Sequence, residues 1–394
     1  MKISVGTKFG LVLLLAGLLI PGSFFAQEDE TGEDDTGWGE LIAEYGTWAA
    51  EPGGIGDNVV SITDPLAPFD DTLQGFSRDA RHEDYSRVGA ELAGNRGRLM
   101  VTWYAHDGDA RISGRDPGNF IFGQLLSLQL YAGLSNDGLA DAFEATSTTA
   151  LRDLKIEYSR VAFSNSRMIG RWNIGFRKLK FRTDTDATYY ALVPTFPAFV
   201  PPLTTGLPDL TPRPETASLA SAYEGTGLTG GLEFEAPLWR DKFSVEGSIG
   251  VSLLDGNVET GYESSNHYYT LLGVILDPPY DELADYVITN VGGTSVLVGT
   301  AASVEQETLD AGLRSDSISR SSQVYELSFG ARVRPLRFMD VFGGYRVIHY
   351  GGVGVDLRPR NITIVGNTVN ATDASETDRS ATYRGFYFGV GFHF

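Results

Sequence analysis

Hydrophobicity in this chain alternates with period two over stretches of about ten residues, and after the first twenty-six residues no apolar run is long enough to form a bilayer-crossing helix. Phe243, Val245, Gly247, Ile249, Val251 and Leu253 fall on one face of such a stretch, with Ser244, Glu246, Ser248, Gly250 and Ser252 on the other. Tyr325, Leu327, Phe329, Ala331 and Val333 stand in the same way opposite Glu326, Ser328, Gly330 and Arg332. Side chains of a strand point alternately to its two faces, so each stretch is an amphipathic strand with one wet side.

The connections sort by length. Residues 163–167, 237–242 and 335–339 are tight, whereas 107–150, 181–222, 257–320 and 356–381 are long and rich in Asp, Pro, Ser, Thr and Gly. Soluble sandwiches use strands of about 5–6 residues and have no reason to segregate loops by length. Long alternating strands with short turns at one end and long loops at the other predict an all-β fold, a transmembrane antiparallel up-and-down β-barrel. Strands are expected at 38–49, 84–93, 97–106, 151–163, 167–180, 223–237, 241–255, 322–335, 339–352 and 381–394, ten in all. Residues 120–134 offer a further hairpin, giving twelve, and loss of 38–49 with a neighbour gives eight.

Both ends carry signals. Lys2 and Lys8 precede an apolar run over residues 11–20, then Pro21-Gly22 and Ala26, the order of a secretory signal peptide over 1–26. An acidic leader over 27–37 follows, and the barrel is expected over 38–394. At the other end Phe386, Phe388, Val390, Phe392 and Phe394 share one face of the final strand. With the signal peptide and the alternating strands, this terminal strand resembles that of Gram-negative outer-membrane β-barrel proteins. The resemblance implies a bacterial outer-membrane location, lipid and lipopolysaccharide as surroundings, and recognition of these five residues by the barrel assembly machinery.

Composition narrows function. Lys+Arg number 31 against 51 Asp+Glu, a formal charge of −20, which argues against a nucleic-acid partner needing a basic surface. The chain has no Cys, so thiolate metal sites, disulfides and thiol nucleophiles are excluded, and no cofactor is implied. Parity places Arg87, Glu91, Arg98, Lys155, Glu157, Arg171, Arg177, Glu233, Glu235, Glu246, Glu326, Arg332 and Arg346 on the inner wall. Opposed Arg and Glu rows make either a narrow water path for small polar solutes or a packed polar core. The first expectation is therefore a non-enzymatic structural or narrow-pore barrel.

The rival reading is a surface hydrolase at the barrel mouth, with His106 or His349 beside Asp107 or Asp109. Asp107, Asp109, Asp137 and Asp141 are oxygen donors without the spacing of a calcium loop, so no metal site is expected. Trp103, Tyr104, Trp172, Trp239, Tyr345, Tyr350, Tyr383 and Phe394 lie near predicted strand ends, where aromatic rings form interface girdles.

Overall fold

Ten long strands, each hydrogen-bonded to the next, close on themselves in the computed structural model. It describes residues 39–52, 60–63, 77–79, 82–94, 97–115, 120–123, 139–140, 142–165, 167–190, 214–239, 242–271, 274–275, 288–291, 294–297, 300–301, 304–365 and 368–394. The signal peptide and leader expected over 1–37 lie outside these. The strands are β1 (Gly39–Pro52), β2 (His82–Gly94), β3 (Gly97–Arg115), β4 (Ala142–Ser164), β5 (Ile169–Tyr190), β6 (Pro214–Trp239), β7 (Phe243–Leu271), β8 (Val304–Leu336), β9 (Met339–Val365) and β10 (Thr368–His393). All neighbours run antiparallel, and β10 returns to β1 through pairs from Glu40 with His393 to Pro52 with Ala381. The seam is locked where the Phe394 N–H donates to Gly39 O at 3.0 Å and the Gly39 N–H to Phe394 O at 3.2 Å. A closed barrel leaves no unpaired edge at this level.

The strand count matches the expected ten, and the tight turns fall where they were expected. Residues 120–123 pair with 60–63 and 139–140 in a separate small sheet, so they add no barrel hairpin. The strands are longer than the sequence suggested. Much of what was expected to be loop at 107–150, 181–222, 257–320 and 356–381 is strand, β8 alone having 33 residues.

The reason is an exchange of faces. Near the short turns the outer wall is apolar: Leu99, Val101 and Trp103 on β3, Trp172, Ile174 and Phe176 on β5, Ile249, Val251 and Leu253 on β7, and Phe386 and Phe388 on β10 are all exposed. Farther along the same strands the apolar residues move to the inner wall: Tyr104 and Ile112, then Leu179 and Phe181, then Leu254 and Val258, then Tyr383 and Ala381, all buried. On β7 the exchange falls between adjacent residues, Leu253 being 61 % exposed and Leu254 1 %. The lower half has a polar interior and an apolar outside. The upper half has an apolar core with hydroxyl side chains such as Thr183, Ser221 and Thr260 buried beside it, and Lys178, Lys180, Arg182, Asp255 and Glu259 are among its outward residues.

This corrects the girdle assignment for three residues. Trp103, Trp172, Trp239, Tyr345 and Phe394 do face outward, but Tyr104, Tyr350 and Tyr383 point inward and are nearly sealed from solvent.

Candidate functional site

Inward parity in the lower half gathers charged side chains from nine of the ten strands, with Tyr387 and His393 from β10, around a cavity of about 570 Å³. Of the thirteen residues placed on the inner wall by sequence, Arg87, Glu91, Arg98, Lys155, Glu157, Arg171, Glu233, Glu235, Glu246, Glu326, Arg332 and Arg346 line it. Arg177 lies behind them, fully buried. Its lining holds seven glutamates against eight Arg or Lys.

Three ion-pair layers divide this interior. At the short-turn end Arg332 donates from Nη1 to Glu40 at 2.8 Å and Asp340 at 3.1 Å, and its Nε lies 2.5 Å from Glu246. Arg334 Nε donates to the other Asp340 oxygen at 2.9 Å. Across the opening Arg171 pairs with Glu235 at 3.0 Å, and Asn173 donates to Glu233 at 3.1 Å. In the middle Glu44 accepts from Tyr85 at 2.7 Å and from Arg87 at 2.8 Å, and pairs with Arg346. The Arg346 guanidinium lies over the Tyr387 ring, 4.5 Å from its centroid.

The third layer closes the cavity toward the long-strand end. Arg177 Nε donates to Asp153 at 2.9 Å, Nη1 to Ser252 at 3.0 Å and Nη2 to Glu326 at 2.8 Å, with a second bond to Asp153. Tyr350 donates to Asp153 at 3.1 Å, and Lys155 reaches Glu326 at 2.8 Å and Glu157 at 3.1 Å. A buried charge is tolerated only when it is paired and hydrogen-bonded, which this network achieves at Arg177 and Asp153. Directly beyond lie Leu151, Leu179, Leu254, Val258, Val324, Ile348, Val353 and Val355, none more than 1 % exposed. Polar and apolar strata meet at Tyr350, whose ring packs in the core and whose hydroxyl serves the network.

Glu40, Glu44, Asp153 and Asp340 were not singled out from the sequence, although their parity places them inside. Glu40, Asp340 and His393 bring three possible ligand atoms within 4.8 Å of one another. Arg332 bridges the two carboxylates and Arg334 takes the remaining Asp340 oxygen, so guanidinium charge already fills the place of a cation.

The two histidines offered as alternatives for hydrolysis stand on opposite faces of the wall. His106 points inward, is 1 % exposed, and stands edge-on to Tyr383 with ring centroids 5.1 Å apart. His349 points outward, shares a hydrogen bond with Thr382 at 2.9 Å and stacks on Tyr325. The barrel wall separates them. Asp107 faces outward and holds Arg152 through bonds of 2.7 and 2.9 Å, while Asp137 and Asp141 lie outside the described residues.

On the outer wall above the apolar belt, Glu224 accepts from Lys178 at 2.8 Å and Lys180 at 2.7 Å. Hydrogen bonds from these two ammonium groups hold its carboxyl below the usual value of 4.5.

No protein-family model matches the sequence, and neither does any curated protein. Among solved structures, the chain is similar to the outer membrane protease OmpT from Escherichia coli at 9 % identity, covering 93 % of this chain and 99 % of that one, with a TM-score of 0.44. It is also similar to a deletion mutant of the monoaromatic hydrocarbon channel TodX at 10 % identity, covering 92 % and 91 %, with a TM-score of 0.29. The translocator domain of the autotransporter NalP from Neisseria meningitidis follows at 11 % identity, 99 % and 95 % coverage, and a TM-score of 0.20.

Proposed function

We propose that the protein is a bacterial outer-membrane barrel without enzymatic activity, whose polar lower lumen opens at the short-turn end and is shut above by its own side chains. The observation that carries this reading is the exchange of faces. A belt of exposed apolar side chains, about ten residues tall on strands such as β6 and β7, matches the hydrocarbon thickness a tilted strand must cross. In water such a continuous belt would drive association. In lipid it is the stabilising surface, and the long strands beyond it project as a polar-walled extension on the side of the long connections.

A small-solute pore requires a continuous wet path, and the Arg177 layer with the apolar core above it interrupts that path. The resting state is therefore non-conducting. His106 and His349 stand on opposite faces of the wall, so a hydrolytic site at the mouth would have to use one of them without the other.

Reconstitution of the mature chain into vesicles with brominated acyl chains, followed by conductance in a planar bilayer, tests both parts. Trp103 and Trp172 face outward in the belt, so bromine should quench the tryptophan emission strongly, while the unmodified protein should show no sustained current. Unquenched emission would remove the membrane reading, and a large steady conductance would remove the closed one.

A further inference from the structure

The apolar belt ends in different company at its two edges. At the upper edge four outward cations are engaged by carboxylates of the same wall: Arg152 by Asp107, Lys178 and Lys180 by Glu224, and Arg182 by Asp184. At the lower edge Arg160, Arg167, Lys242 and Arg337 are exposed and, among the described residues, take part in no ion pair.

These four lie on one arc of the rim. Arg160 and Arg167 flank the β4–β5 turn, Lys242 immediately precedes β7, and Arg337 sits in the β8–β9 turn. The three turns are neighbours: Ile169 pairs with Glu235, joining β5 to β6, and the Arg334 N–H donates to Lys242 O at 2.9 Å. Acids at this level face inward. Glu40 and Asp340 are buried, and Glu235 and Glu246 line the cavity. Arg240 and Asp241, of opposite charge, lie outside the described residues. In a chain with 51 Asp+Glu against 31 Lys+Arg, an outward arc whose described residues include cations and no acid is a local inversion.

The apolar residues of the arc identify its surroundings. Phe163, Met168, Leu238, Trp239, Leu336 and Phe338 are exposed in the same three turns and continue the belt downward. The Lys242 N–H donates to Trp239 O at 2.8 Å, and Arg160 stands in register with Trp172. Rings interleaved with cations suit the level where acyl chains give way to headgroups, because the stem of Arg or Lys lies on apolar surface while its charge reaches outward. A water-soluble anionic partner would leave those rings in water between encounters.

We propose that the short-turn rim binds the phosphodiester headgroups of anionic phospholipids, of the phosphatidylglycerol class, through Arg160, Arg167, Lys242 and Arg337. This rests on the membrane-barrel reading above and adds which lipid that end of the barrel selects. A zwitterionic headgroup brings its own cation beside the phosphate, whereas an anionic one leaves that charge to be neutralised by the protein. Each basic side chain near an anionic surface favours it by roughly fivefold.

The rim carries its own probe, Trp239, which is 70 % exposed. The mature chain is refolded into phosphatidylcholine bilayers containing increasing fractions of brominated phosphatidylglycerol or brominated phosphatidylcholine. W239F is measured beside it, so that the difference in emission isolates the rim tryptophan, and heat-dependent gel migration establishes the folding of each variant. Quenching of Trp239 should give an association constant roughly fivefold in favour of phosphatidylglycerol. The ratio should fall toward unity in R160Q/R167Q/K242Q/R337Q, and also in about 1 M salt, where charges are screened within about 3 Å. K242Q alone, on the turn that carries Trp239, should lower it as well. K178Q/K180Q/R182Q, which removes cations already engaged at the upper edge, should keep the parent value.

Equal quenching by the two lipids in the folded parent, or a preference that survives the quadruple substitution, overturns the lipid site. So does a preference that appears only in E28Q/D29N/E30Q/E33Q/D34N/D35N, which would give the rim cations to the acidic leader. Absence of quenching by either lipid at Trp103 and Trp172, read from W239F, overturns instead the membrane reading on which the site rests.

Discussion

The two halves of the barrel share most of their strands, yet they solve the solvation problem in opposite ways. Below, the wall turns apolar side chains outward and pairs charges inside; above, it turns charges outward and packs Leu, Val, Phe and Tyr inside. A strand offers two faces with period two, so the solvent on each side decides which face is apolar. The lower half is built for a nonpolar surrounding and the upper half for water, and the level of exchange marks the boundary.

Breaking the boundary layer should cost most. Arg177→Met leaves the Asp153 carboxylate buried without its counter-ion, with only the Tyr350 hydroxyl bond remaining to it, and unfolding in detergent should show a loss of about 3–5 kcal/mol. The adjacent leucines of β7 come next. Leu254→Ala opens a cavity in the packed core and should cost about 2–5 kcal/mol, whereas Leu253→Ala, facing outward in the belt, loses transfer energy without leaving a cavity and should cost about 1–2 kcal/mol. Equal losses at the two positions would dissolve the distinction between the halves.

Charge scanning sharpens the same contrast from outside. Ile249→Arg, in the belt, should destabilise lipid-embedded protein by about 2–4 kcal/mol, while Asn257→Arg, outward on the same strand above it, should shift stability by less than about 0.5 kcal/mol. The smallest effect concerns pH. Glu224 has its carboxyl held below 4.5 in the folded state, so its contribution is present above that value and fades as pH falls through the depressed one. Because Glu224 is half exposed, acid titration of Glu224→Gln against the parent should differ by a few tenths of a kcal/mol at most, about the strength of an exposed ion pair.

Ten strands, their short turns and the inward parity of the lower half were legible because alternation there is uniform and terminates at turn residues. The upper half was hidden by the exchange itself. Between Phe176 and Leu179, or Leu253 and Leu254, the apolar residues change parity, so a single period-two pattern ends there although the backbone continues. His106 illustrates the consequence: it shares even parity with Thr102 and Tyr104, both inward, but ending the strand beside it suggested a rim position. Glu44 and Asp153 were equally readable by parity, whereas the hydrogen bonds of Val355 with Ser221 and Thr260 join segments far apart in sequence, which no local pattern contains.

Single-cysteine spin labels stepped along β7 from Val245 to Tyr262 in reconstituted protein test the exchange of faces most directly, since the chain has no other Cys. The account predicts high accessibility to oxygen at odd positions through Leu253, a switch to a water-soluble relaxation agent at odd positions from Asp255 upward, and low accessibility to both at even positions from 254. Oxygen accessibility that continues on the odd face past 255, or that never appears below it, would contradict the account.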